Sequence, residues 1–231
     1  TNTTPAFNCT GTIFPSLVTP SCAARFNGTG RVDVTNSLGA FPGKGSIEFW
    51  LNQPVYTNYQ IPLSTTLFGT TDVEGILFQT YANGDIIVEF GGPGNVVDYT
   101  SYGELLLPGK NYHIAVTWDT VAKNYKGYLN GKLKFVKSFV TANFPSSIPR
   151  LTMGAGYNAG RYLDGTLDEV RYWNVERTQS QIISSATAIT GTETGLQAYY
   201  HFNDNNLNGN GLTVLNKATA TGASLNGITV D

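Results

Sequence analysis

The chain has 231 residues, of which 13% are charged, 41% hydrophobic and 12% aromatic, with 26 glycines and a formal net charge of −2. The hydrophobic share excludes a disordered chain; the 14 scattered basic residues exclude a phosphate-neutralising nucleic-acid binder; no apolar run approaches the ~20 residues that span a bilayer. Few charges, many turn formers and many aromatics fit one all-β domain, a class that runs to roughly 200–250 residues.

Residues 1–22 read as an irregular arm, rich in Thr and carrying Pro5, Pro15 and Pro20, and residues 23–231 as the domain. The arm holds the two cysteines, Cys9 and Cys22. Their setting predicts one disulfide closing a short loop, which would contribute roughly 3 kcal/mol by loop entropy; two free thiols are the alternative. The single methionine is Met153 and no secretory apolar segment is present, so the chain reads as a mature product or an excised fragment.

Strand signals follow at 24–27, 31–34, 46–51, 66–69, 76–81, 85–90, 96–101, 112–119, 124–129, 132–136, 151–154, 166–173 and 196–202. The alternation is clear at 46–51, where Ile47, Phe49 and Leu51 share one face, and at 113–118, where Ile114, Val116 and Trp118 share one. Asn83-Gly84 and Asn130-Gly131 each sit between strand-like runs and predict type I′ hairpin turns, which need positive φ at both central residues. One short helix is expected near 178–187, capped by Thr178 and carrying Ile182 and Ile183. Strands throughout with one helix predict an antiparallel two-sheet sandwich.

Five stretches carry a resemblance. They are Gly45-Ser46-Ile47-Glu48-Phe49-Trp50-Leu51, the run from Tyr112 to Asp119 with the Gly127-Tyr128-Leu129-Asn130-Gly131 hairpin, and Asp164-Gly165-Thr166-Leu167-Asp168-Glu169-Val170-Arg171-Tyr172-Trp173-Asn174. Arg177-Thr178-Gln179-Ser180-Gln181-Ile182 and Thr190-Gly191-Thr192-Glu193-Thr194-Gly195-Leu196 through Phe202 complete the set. In this order they resemble laminin-G-like jelly-roll domains of the concanavalin-A-like lectin/glucanase superfamily, as found in bacterial surface proteins. The resemblance covers roughly residues 23–228. It implies a jelly-roll fold, an extracellular or cell-surface setting, and a lectin-like or adhesive module attached to further domains of a larger protein. It also implies a structural Ca²⁺ ion. Asp168 matches the acid of the family's "DEV" strand, and Phe26-Asn27-Gly28 matches an early "F-D-G" turn with Asn27 in place of Asp. Asn27 and Asp168 are therefore the expected metal ligands, although a neutral amide weakens the site. The alternative for Asp168 is a bond to backbone amides.

For a glycan or polysaccharide partner, aromatic platforms with polar neighbours are needed. Tyr56, Tyr59, Tyr99 and Tyr102 qualify, and the best stretch is Gly156-Tyr157-Asn158-Ala159-Gly160-Arg161-Tyr162, from which Tyr157, Asn158, Arg161 and Tyr162 are the expected ligand residues. Trp50, Trp118 and Trp173 read as packing residues. Glu169 and Arg171 read as a surface ion pair. His113 and His201 lack neighbours for a zinc site. Asn-x-Thr sequons begin at Asn2, Asn8 and Asn27 and matter only in a eukaryotic host. No Glu-x-Asp-x-x-Glu strand of the related endoglucanases occurs; the nearest arrangement, Asp72-Val73-Glu74, reads as a loop. A non-catalytic carbohydrate-binding or adhesive module is the leading expectation. A structural or protein–protein module, such as a virion or appendage decoration domain, and a glycoside hydrolase are the alternatives.

Overall fold

Strand β5 (Lys44–Asn52) sets the logic of the molecule. Ile47, Phe49 and Leu51 are buried on one side of it, and Ser46, Glu48 and Trp50 point to the other. The same alternation in every long strand gives each sheet one apolar face, and the two apolar faces close on each other. The computed structural model describes the backbone of residues 6–8, and residues 22–94, 96–139, 144–187, 189–203 and 210–230.

Sheet I contains β1 (Ala6–Asn8), β2 (Ala23–Asn27), β15 (Asp164–Trp173), β5, β10 (Asn111–Asp119), β11 (Asn124–Leu129) and β12 (Lys132–Ser138), in that order, with β16 (Leu196–Tyr200) also paired to β15. Sheet II runs β17 (Thr213–Val214), β18 (Gly227–Val230), β3 (Arg31–Val34), β14 (Leu151–Met153), β6 (Gln60–Ser64), β7 (Gly75–Thr80), β8 (Ile86–Gly92) and β9 (Val96–Ser101). A two-stranded ladder, β4 (Gly39–Ala40) with β13 (Ser147–Ile148), stands apart. All pairings are antiparallel, and together they make the expected sandwich.

The core is the seam between the sheets. Phe49 of sheet I meets Phe78 of sheet II edge to face at 4.9 Å, and Phe90 lies 6.0 Å from Trp118. Each such fully buried side chain contributes about 1.5–3 kcal/mol. Trp118 crosses directly over Gly45, where a Cβ would stand 2.0 Å from the indole, so this position admits no side chain.

Several sequence expectations change on folding. Asn130 and Gly131 have φ of +50° and +73°, the type I′ pair expected. At Asn83-Gly84, however, among these two, Gly84 alone is positive (+84°), and the Tyr81 amide donates to the Asp85 carbonyl at 3.0 Å. That loop is a three-residue turn with Gly84 in the left-handed position. Residues 66–69 are not a strand. The strand is β6, within a stretch read as loop, because Pro62 breaks the local signal; the β6–β7 register shifts between Gln60 and Leu63, where a residue without an N–H is tolerated. Within the arm, Ala6–Asn8 pairs with β2. The helix α1 (Gln179–Ser184) is shorter than expected but carries a full capping box between Thr178 and Gln181.

At the far edge, β12 and β9 are the terminal strands of the two sheets. Lys137 of β12 reaches across, pairing with Asp98 and donating to the Tyr99 carbonyl at 3.0 Å.

Candidate functional site

The outer face of sheet I is covered around Arg171. Arg171 is fully buried and donates to Glu169, to the Ser185 carbonyl and, at 2.7 Å, to the Thr187 carbonyl; Glu48 lies 3.5 Å away. Trp173 Nε1 donates to Glu48 at 3.0 Å, and the Tyr199 hydroxyl donates to Glu169 at 2.9 Å. Arg177 stacks on Trp173 at 3.8 Å and donates to Ser185. Glu169 and Arg171 are thus not a surface pair, since α1 and the segment up to β16 cover them. A β-bulge makes this possible. Asp168 pairs with Trp50 and Arg171 with Glu48, leaving one extra residue in β15, and Glu169 takes φ +52°. Burial raises the Glu48 carboxyl above its ordinary range, against the pull of Arg171 and Arg177. Burial, then Arg171, lowers His113 to about 3, so its imidazole is neutral.

The expected metal ligands do not converge on this framework. Asn27 lies opposite Asp164 and Ala24 opposite Leu167, so Asp168 is four residues from Asn27's level, on the order of 13 Å along the strand. The Asp168 carboxylate is buried and accepts from the Glu169 amide at 2.8 Å, the alternative its position allowed. Burial, then Glu169, pushes its pKa well above the carboxylate range. Among the described residues no three His, Cys, Asp or Glu side chains cluster. Asn27 and Asp168 do not fit one calcium ion. Cys22 is buried just before β2, and Cys9 lies outside the described residues.

The outer face of sheet II is covered over Leu77 and Gln79, which are buried, and opens toward the β9 edge. There, beside the β7–β8 turn, lies a hollow of about 440 Å³ lined by Asn58, Tyr81, Asn83, Asp85, Tyr99 and Ser101. Tyr99 is 63% exposed. The two amides are fixed by the backbone: Asn58 Oδ1 accepts from the Ala82 amide at 3.1 Å and Asn83 Oδ1 from the Asp85 amide at 3.0 Å. Their NH₂ groups are left as oriented donors. Ser101 donates to Asp85 Oδ1 at 2.6 Å, which leaves Oδ2 as an acceptor. Beside the hollow Tyr81 meets Tyr59 at 5.7 Å, and Arg161 lies over the Tyr59 ring at 4.6 Å and the Tyr157 ring at 5.4 Å. Arg161 also donates to Gln79 and to the Tyr157 hydroxyl.

Of the four expected ligand residues, Tyr157 and Arg161 therefore join this surface. Asn158 is exposed on the same loop. Tyr162 turns away and packs 6.0 Å from Phe68, which also carries Arg31 on its ring. Tyr56 and Tyr102 are buried, while Tyr59 and Tyr99 are on the face. The residues missed were Asn58, Tyr81, Asn83 and Asp85. For Tyr81, Asn83 and Asp85 the signal was the Asn-Gly turn itself, read for its geometry and not for its side chains; Asn58 joins them from a distant loop.

A laminin-G family model described as the concanavalin A-like lectin/glucanases superfamily matches residues 26–183. The chain belongs to this superfamily. No functionally curated protein matches it in sequence. The fold is similar to that of a protein of Bacteroides ovatus described as carbohydrate-binding (TM-score 0.67, 18% identity), covering 99% of this chain and 58% of that one. It is similar to domain 4 of the extracellular arabinanase AbnA of Geobacillus stearothermophilus, solved with arabinotriose (TM-score 0.57, 18% identity, 79% of this chain and 81% of that one). It is also similar to the carbohydrate-binding module of a Ruminococcus gnavus sialidase bound to α2,3-sialyllactose (TM-score 0.54, 14% identity, 67% and 95%). At these identities the likeness is one of fold.

Proposed function

We propose that this domain is a non-catalytic carbohydrate-binding module that holds a glycan on the outer face of sheet II, as part of an extracellular or surface protein. The observation that carries this is the tyrosine-walled hollow. It combines aromatic faces for the C–H side of a sugar with two backbone-fixed amide donors and a carboxylate acceptor for its hydroxyls. The solved relatives with bound oligosaccharides support the reading by analogy of fold.

Hydrolysis fits less well. Asp85 and Glu89 lie on one strand face, four residues or about 13 Å apart, beyond the roughly 5–9.5 Å that glycosidase carboxylates need. The test is a glycan array on the whole chain, followed by titration of the best ligand into Tyr81→Ala and Asn83→Ala. Binding on the array that both variants retain unchanged would move the site elsewhere. Release of reducing sugar from that ligand would overturn the non-catalytic reading.

A further inference from the structure

We infer that a second, separate ligand site lies on the opposite side of the sandwich, in a hollow between Trp50, His113, the Asn130-Gly131 turn and α1, and that it takes a neutral monosaccharide-sized ring. The hollow measures about 350 Å³, at the lower end of the range for small-molecule sites. Trp50, Asn111, His113, Asn130, Ile183 and Ala186 line it, and none of them is an acid, a lysine or an arginine.

The wall is rigid. Trp50 Nε1 donates to the Ala186 carbonyl at 2.6 Å, which fixes the indole plane, and the His113 ring stands 5.2 Å from it. Ile183 lines the mouth on the first helix, yet is 56% exposed. Indole and Ile183 together offer an apolar platform.

The polar groups of the lining keep spare hydrogen-bonding capacity. Asn130 Oδ1 accepts from the His113 amide at 2.9 Å, and Asn111 Oδ1 accepts from Asn52 at 2.6 Å. The NH₂ of each is thereby left over. His113 is 1% exposed, and neither ring nitrogen has a hydrogen-bond partner among the described residues. Its Nε2 lies 3.5 Å from Glu48 Oε2, also unpartnered, and Nδ1 belongs to a ring that lines the hollow. A buried polar atom left unsatisfied costs about 1–3 kcal/mol, so a ligand hydroxyl that satisfies it gains that margin.

This set selects the ligand by elimination. An acidic sugar would find no cation here, because Arg171 is committed to Glu169 and two carbonyls behind the wall. A hydrocarbon would leave His113 unsatisfied. A neutral pyranose or furanose sets its C–H face on Trp50 and its hydroxyls on two amides and an imidazole.

The chain has three tryptophans, so a ¹⁵N-labelled sample gives three indole N–H resonances, and Trp50→Phe assigns the relevant one. The labelled protein is titrated with D-glucose, D-galactose, D-mannose, D-xylose, L-arabinose and N-acetyl-D-glucosamine, and with D-glucuronate as the acidic control. At least one neutral sugar should move the Trp50 resonance saturably, with a Kd of about 1 mM. Ile183→Glu, which changes an exposed side chain, should weaken that response by tenfold or more, and Tyr81→Ala on the far face should leave it intact. The inference is overturned if no neutral sugar moves the resonance, if Ile183→Glu leaves the Kd unchanged, or if glucuronate binds as well. Because Tyr81→Ala reads the sheet II site alone, failure of one site is distinguishable from failure of the other.

Discussion

Sheet I turns Glu48, His113, Arg171 and Trp173 away from the core, and sheet II turns Gln79, Ile87, Glu89 and Tyr99 away from it. The strands follow one rule, yet the first set is buried under α1 and β16's approach while Tyr99 stands largely in solvent. The difference lies in what covers each face. A buried charge must be matched by charge and hydrogen bonds, and sheet I supplies them around Arg171. The face of sheet II carries half-exposed polar groups whose bonds are partly spoken for and partly left over. Where the cover is complete, around Arg171, it makes a scaffold; gaps in the cover, on either face, are where a ligand can reach.

The largest test removes the strands that complete both sheets. Deleting residues 195–231 takes away β16, which pairs with β15, and β17 and β18, which pair with each other and with β3. The truncated chain should not fold, and a soluble product with a cooperative melt would break the comparison. Next in size, Arg171→Ala leaves Glu169 and Glu48 buried without their cation and should cost about 3–5 kcal/mol in urea unfolding. Arg161→Ala on the open face should cost less than about 1 kcal/mol, because that guanidinium is half-exposed. Equal costs would mean the two faces are not differently built.

Acid should distinguish the faces as well. The folded-state pKa of His113 is lowered to about 3 from an ordinary value of 6.5, so below pH 6.5 the unfolded chain binds a proton that the fold refuses. Its contribution to stability is complete above pH 6.5 and falls by up to about 1.4 kcal/mol per pH unit toward pH 3. Glu48 and Asp168, raised by burial, act in the opposite sense. Comparing His113→Gln with the parent isolates the histidine: the variant should gain on the parent steadily as urea midpoints are measured from pH 7 to pH 4.5. Parallel lines would show that the imidazole charges without cost.

The smallest effects concern the open face. Tyr59→Ala should weaken binding of an array-identified glycan about three- to tenfold, by analogy with aromatic pairs, without moving the melting point by more than a degree or two. Tyr162→Ala should leave affinity unchanged, since its ring faces Phe68.

The sandwich was legible because period-two alternation and Asn-Gly turns are local signals; β10, β11 and the Asn130-Gly131 turn were read with little error. What escaped was set by distant cover or by local exceptions. Glu169 and Arg171 two apart read as a surface pair, because nothing near them announces that Ser185, Thr187 and Tyr199 close over them. Pro62 hid β6, although a bulge accommodates it. Half the candidate site was legible for a similar reason. Tyr157 and Arg161 share one glycine-bounded loop, whereas Tyr59 and Tyr81 meet them only across three strands of sheet II.

Lys137 reaching from β12 to the carbonyl of Tyr99 has a consequence for how these molecules behave in company. An outermost strand with free peptide groups invites another chain to add on, and repeated addition grows a filament. Here a fixed ammonium occupies one of those carbonyls and puts a charge where an incoming strand would lie. The same tether steadies the strand that bears Tyr99, so the edge stays both solitary and held in place.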